Sequence, residues 1–196
     1  ITAPSGGLEV KTKNATLFEL QPEQKVLLEE VRGNIRVTTD GVNHGVFGMI
    51  RIHPTSSEHD MRIRTEGKSG QYDGDLSVRV IDGKLQLVNY IGLESYVAGV
   101  VESEIRPNES ETMVRLQAML IRTYALGNRD RHHAQGFELC DRVHCQVYQG
   151  RTRYQASTRK AVRTTAGKVI TDENGRLILA VYHSNCGGQT TDASAA

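Results

Sequence analysis

Between Leu8 and Asn89 apolar residues mostly alternate with polar ones in short runs, the period of a half-buried strand. Leu8–Lys11, Thr16–Leu20, Lys25–Leu28, Ile35–Thr38, Phe47–Ile52 and Met61–Arg64 all read this way. Gly33-Asn34, Asp40-Gly41 and His53-Pro54-Thr55 break them. Leu76–Ile81 and Lys84–Asn89 flank Asp82-Gly83, a pair suited to a type I′ turn. Near Tyr90 the period changes from two to 3.6. Leu93, Tyr96, Val97, Val100 and Val101 share one helical face, and Met113, Leu116, Leu120 and Tyr124 share another. Pro107 ends the first helix, because it disfavours helical geometry at Arg106. Asn108 is the expected cap of the second, with Glu111 completing a capping box, and Gly127-Asn128 is its expected stop. Arg153–Thr165 predicts a third helix, and a last hairpin is expected around Asn174-Gly175.

The expected fold is therefore α/β in the α+β sense, with a β-rich accessory region over 1–75. A region over 76–196 follows, built on a helix–turn–helix corner and a C-terminal hairpin. At 196 residues the chain can bury a real core. Its net charge of +1 gives no bulk electrostatic case for nucleic acid. No apolar run is long enough to cross a bilayer. The chain starts at Ile1 and ends in a small-residue tail, which suggests a removed leader or anchor and a native protein that continues.

Glu104 falls on the last turn of the first helix, beside an apolar wall. The negative end of the helix dipole and burial both favour the protonated carboxyl there, the profile of a general acid. The bland reading makes it one solvated charge among Glu102, Glu104 and Glu109. The densest cluster of ligand-type side chains is His132-His133 with Cys140 and His144-Cys145. Thiolate and imidazole suit Zn²⁺, and the two cysteines stand at a common ligand spacing. His132 or His133 could be a third ligand and His144 or Cys186 a fourth. A disulfide and packed thiols remain open, since three cysteines are an odd set. Cys186 with His183 is a competing nucleophile pair. Arg122 could orient a carboxylate or a substrate anion.

Four motifs lift the chain out of the generic. Asn89–Glu104, Leu116–Ala118 with Ile121–Ala125, Phe137–Asp141 with His144–Gly150, and Tyr182–Thr190 stand in the order found in the stage II sporulation protein D (SpoIID) family, which this sequence resembles. The resemblance implies a peptidoglycan lytic transglycosylase that cleaves peptide-stripped glycan strands and leaves 1,6-anhydro ends. Glu104 would be its single acid/base, and Cys140, Cys145 and His133 its zinc ligands, with His132 next in line. Arg122, Gln146, Tyr148, Ser184 and Asn185 would bind substrate. It also implies glycan strands and a cell-wall amidase as partners, an extracytoplasmic location, and membrane attachment only through a removed N-terminal anchor. Glu102 and Arg106 depart from the family's usual residues. From a different class, the alternative is a non-catalytic cell-wall module that enhances an amidase.

Overall fold

The computed structural model describes residues 1–4, 6–56, 60–106, 108–151 and 153–182. The backbone divides into two compact units, Ile1–Gly92 and Leu93–Ala196.

Among the described residues the first unit holds ten strands: β1 Leu8–Lys11, β2 Thr16–Leu20, β3 Val26–Val31, β4 Asn34–Thr39, β5 Val42–Phe47, β6 Met49–Pro54, β7 Met61–Arg64, β8 Ser69–Tyr72, β9 Asp75–Ile81 and β10 Lys84–Tyr90. They form an antiparallel five-stranded sheet in the order β10-β9-β6-β1-β2, a three-stranded sheet β3-β4-β5 and the pair β7-β8. Alternation decides which face is buried. Leu8 and Val10, Ile35 and Val37, Ile50 and Ile52, and Leu76 and Val78 all point into one core with Leu20, Val26 and Met61. Ile81 pairs with Lys84 across Asp82-Gly83, and both turn residues have positive φ, at 50° and 69°. That is the type I′ geometry expected for this dipeptide.

Two strand expectations change. The run expected over Phe47–Ile52 is two strands, because the chain leaves one sheet at Phe47 and enters another at Met49. Strand β8 has no apolar alternation to announce it.

The second unit holds α1 Leu93–Glu104, α2 Glu111–Gly127 and α3 Ala156–Thr164, which pack against one another. The α2 cap is Ser110, whose hydroxyl accepts from the Met113 amide, rather than Asn108. Asn108 instead adopts a left-handed φ of 68°. The buried face of α2 carries Val114, Ala118, Ile121 and Ala125, while Met113 and Leu116 stay 44% and 46% exposed. Buried Gln117 and Arg122 interrupt the apolar stripe, so hydrophobicity alone points to the wrong face. The C-terminal hairpin is not formed as strands. Among the described residues it shows one bridge, Thr171 opposite Leu177, with the Asp172 amide donating to Arg176 O and the Ile178 amide to Ile170 O.

Candidate functional site

The C-terminal turn of α1 organises the second unit. Three consecutive side chains there accept backbone N–H groups from the segment that follows α2. Glu102 takes the amide of Gln155 at 3.0 Å, Ser103 that of Gln149 at 3.1 Å and Glu104 that of Val147 at 2.8 Å. Successive helical positions point about 100° apart, so the three reach different parts of the segment. Glu102 is buried and receives two bonds from Arg159 of α3, both at 3.2 Å. Glu102 and Glu104 therefore face different partners, as their two-residue separation on a helix predicts.

Glu104 is half-buried and turned into the unit, at the end of a relay. Tyr96 donates to Gln146 Oε1 at 3.1 Å, and Gln146 Nε2 donates to the Tyr182 hydroxyl at 3.1 Å. Tyr182 in turn hydrogen-bonds Glu104. Burial, then the hydrogen bond and charge of Glu104, drive the Tyr182 hydroxyl well above its ordinary pKa, so it remains a donor. Burial does the same to Tyr96, reinforced by the neighbouring Cys145 and Glu104. Gln146 is 1% exposed and also donates to Ile121 O. Tyr148 is buried and packs on Tyr96 with ring centroids 5.3 Å apart. It lies against Gly99, where a Cβ would sit 2.6 Å from Tyr148 Cε2.

Arg122, expected to meet a substrate anion, is 0% exposed. Glu94 takes that place, with Arg122 Nε to Oε1 at 2.9 Å and Nη2 to Oε2 at 2.6 Å, while Nη1 donates to Lys168 O at 2.9 Å. Burial alone would raise the Glu94 pKa. The Arg122 hydrogen bonds, the Gly167 amide and the Arg122 charge outweigh it and hold the carboxyl below its ordinary value. Gln146 and Tyr148 are likewise internal struts. Ser184 and Asn185, with His183 and Cys186, lie outside the described residues.

The segment that docks on α1 also carries a four-residue donor cluster. His132, Cys140, His144 and Cys145 place one ligand atom each within 4.8 Å of one another. Cys145 Sγ is 3.4 Å from His132 Nε2 and 3.6 Å from His144 Nδ1, and Cys140 Sγ is 3.7 Å from His144 Nδ1. Tetrahedral zinc with ordinary Zn–S and Zn–N bonds has S···N edges of about 3.6 Å, so the cluster is compatible with zinc. His133 stands outside this group and opens the 3-10 turn His133–Gln135. The turn brings its preceding residue, His132, to the cysteines instead.

The two imidazoles are not equivalent. Gln135 Oε1 contacts His132 Nδ1. An amide oxygen accepts, so the proton sits on Nδ1 and the Nε2 lone pair faces Cys145. At His144, Arg131 approaches Nε2 at 3.3 Å. A guanidinium only donates, so the neutral ring keeps its proton on Nδ1, towards the cysteines. Metal ligation there would move that proton and break the Arg131 contact. Cys140, Cys145 and His132 are the better-prepared trio. Neither cysteine is in a disulfide. Burial, with Cys140 alongside, pushes the Cys145 thiol above its ordinary range, which is the opposite of an activated nucleophile.

This geometry can now be set beside known proteins. Residues 81–171 match the family model described as SpoIID, Stage II sporulation protein. The central region of the chain is a SpoIID-family match. The chain is also 34% identical over 143 residues to the amidase enhancer of Bacillus subtilis (strain 168), covering 72% of this chain and 19% of that protein. A second similarity, 27% over 124 residues, is to an uncharacterized protein of Brachyspira hyodysenteriae, covering 63% of this chain and 33% of the relative. The chain thus spans about a fifth to a third of the curated relatives it matches.

The named relative corrects the expected activity. It is described as an enhancer of an amidase and not as a glycan-cleaving enzyme, which overturns the lytic transglycosylase reading and with it the acid/base role of Glu104. The SpoIID region presents Glu104 as an acceptor for Val147 and Tyr182. That role was hidden in the sequence, because a capping-type acceptor and a general acid can look alike from one residue and its helix position. The sequence signal for it was the run Glu102-Ser103-Glu104, three acceptors in a row at a helix end. Among the described residues no helix is long and apolar enough to cross a membrane.

Proposed function

We propose that the chain is a non-catalytic cell-wall module that assists a peptidoglycan amidase. The similarity to the amidase enhancer over 72% of the chain carries this reading. The interior of the SpoIID region agrees with it: among the described residues expected to work on substrate, Arg122, Gln146, Tyr148 and Glu104 are engaged with internal partners. In this reading the Cys–His cluster serves structure. A metal held by Cys140, Cys145 and His132 would fix residues 140–149 where Val147 and Gln149 meet the end of α1. The module works outside the cytoplasm, where peptidoglycan and its amidases are. Glycan strands are its surface and an N-acetylmuramoyl-L-alanine amidase its partner.

The test is a reconstitution. Purified peptidoglycan is digested by such an amidase with and without the chain, and newly freed alanine amino groups are counted. The expected result is a faster amidase and no new glycan ends from the chain alone. An amidase rate unchanged at saturating chain would overturn the proposal.

A further inference from the structure

The chain is nearly neutral, with 24 Lys and Arg against 23 Asp and Glu, but its charge is not evenly spread. Residues 151–168 contain Arg151, Arg153, Arg159, Lys160, Arg163 and Lys168 and not one carboxylate. The fold leaves four of these cations, Arg153, Lys160, Arg163 and Lys168, exposed. Thr158, Ala161 and Val162 are the residues α3 buries, which leaves Lys160 and Arg163 exposed on neighbouring turns. Arg153 is exposed just upstream and Lys168 just downstream. Arg159 is given to an internal carboxylate, Glu102. Beside it Tyr154, 50% exposed, lies between two guanidiniums, with Arg151 Cζ 4.6 Å and Arg159 Cζ 4.8 Å from its ring centroid. That stack holds the Tyr154 ring in place at the edge of the exposed cations.

We propose that this strip is a binding surface for a linear phosphodiester polymer of the cell wall. The inference rests on the cell-wall reading above for where the polymer is found. It rests on the strip itself for the chemistry. Guanidinium forks match the paired free oxygens of a phosphodiester, and two of the four exposed cations, Arg153 and Arg163, are arginines. Carboxylates on peptide stems are the other anions of the wall. An amidase removes those stems, so a module holding them would be released with the product. A phosphodiester polymer stays in place while the amidase works, and it keeps its charge across the physiological pH range.

The experiment titrates the full chain with synthetic poly(glycerol phosphate), reading intrinsic heat by calorimetry. The triple variant R153Q/K160Q/R163Q is compared with a control triple, K13Q/R64Q/K84Q, which removes three exposed cations from the first unit. Both are checked by circular dichroism. The strip variant is expected to lose at least about tenfold in affinity, and the control less than about twofold. Three lost phosphate contacts should also flatten the salt dependence. Between 50 and 200 mM salt the variant's affinity would fall about twentyfold less than the parent's, using the slope of flexible polyanions. Equal losses in the two triples, or no binding by the parent at 50 mM salt, overturns the proposal. Polyglutamate or single-stranded DNA of equal charge binding tenfold tighter than poly(glycerol phosphate) reassigns the strip and also overturns it. The amidase reconstitution runs separately: an unchanged amidase rate with intact polymer binding would fail the functional reading and spare the strip.

Discussion

Removing the half-exposed partner of the Glu94–Arg122 pair should do more harm than removing the buried one. Arg122 is 0% exposed, so Glu94→Ala strands a desolvated guanidinium whose remaining bonds are to the carbonyls of Lys168 and Ala118. Breaking a fully buried pair this way costs about 3–5 kcal/mol, while surface pairs contribute about 0–1 kcal/mol. The Glu94 side chain is 36% exposed, so water can screen the vacancy and the loss should fall between these limits, at about 2–3 kcal/mol. Arg122→Met removes the buried charge altogether and fills most of its volume. Glu94 can then turn to water, and the main penalty is the Lys168 carbonyl left without its donor, about 1–2 kcal/mol. The double variant should therefore be more stable than Glu94→Ala alone.

Urea unfolding of the four proteins gives the coupling energy, expected at about 1.5–2 kcal/mol at neutral pH. Acid supplies a second axis. The folded pKa of Glu94 is depressed, so the unfolded chain binds its proton first as pH falls. The contribution is fully present above the ordinary value of 4.5 and is lost as pH drops through the lower, folded value. The coupling should thus vanish in strong acid. A coupling below about 0.5 kcal/mol at neutral pH, or a Glu94→Ala variant more stable than Arg122→Met, would refute the buried-strut account.

Other consequences are simpler to read. Gly99→Ala puts a methyl group 2.6 Å from Tyr148 Cε2 and 3.1 Å from Gly150 O, so thermal unfolding should show a loss of about 1–3 kcal/mol; an unchanged midpoint would mean Tyr148 is free to move. Elemental analysis of protein purified with zinc should give about one ion per chain, lost in Cys140→Ser, Cys145→Ser and His132→Ala and kept in His133→Ala; the reverse result for the two histidines would discard the cluster. Glu104→Gln keeps an acceptor for the Val147 amide and should cost only about 1 kcal/mol, whereas Glu104→Ala leaves that amide unsatisfied and should cost about 2–3 kcal/mol by the same urea assay; equal costs would deny Glu104 its role as a strut.

Legibility in the sequence followed how local the cause was. The turn at Asp82-Gly83 and the end of α2 at Asn128 depend on a few adjacent residues, and both stand where the pattern puts them. The buried face of α2 does not, because Arg122 is inside by virtue of a distant partner, Glu94. The metal cluster was half legible. Ligand chemistry pointed to the cysteines, but choosing His132 over His133 required the 3-10 turn and Gln135. Arg122, Gln146 and Tyr148 illustrate the commonest ambiguity in such a reading. A polar residue in a family motif can be there to touch a ligand or to hold the residues that do, and only burial separates the two.

The same distinction explains why the end of α1 carries so much of the second unit. A loop as polar as residues 129–155 cannot be held by apolar burial alone, since its amides need acceptors wherever they leave water. Glu102, Ser103 and Glu104 supply three, one for each of Gln155, Gln149 and Val147. The Cys–His cluster restrains the same loop from its other side, two residues before Val147. Neither device suffices by itself: the acceptors fix single amides, and a metal would fix the three side chains of Cys140, Cys145 and His132 without dictating where the loop meets the helix. Together they locate residues 140–155, and α3 begins at Ala156 directly after Gln155. The placement of the basic surface on α3 is therefore a consequence of the carboxylates at the end of α1, Glu102 most directly, through its bonds to both the Gln155 amide and Arg159.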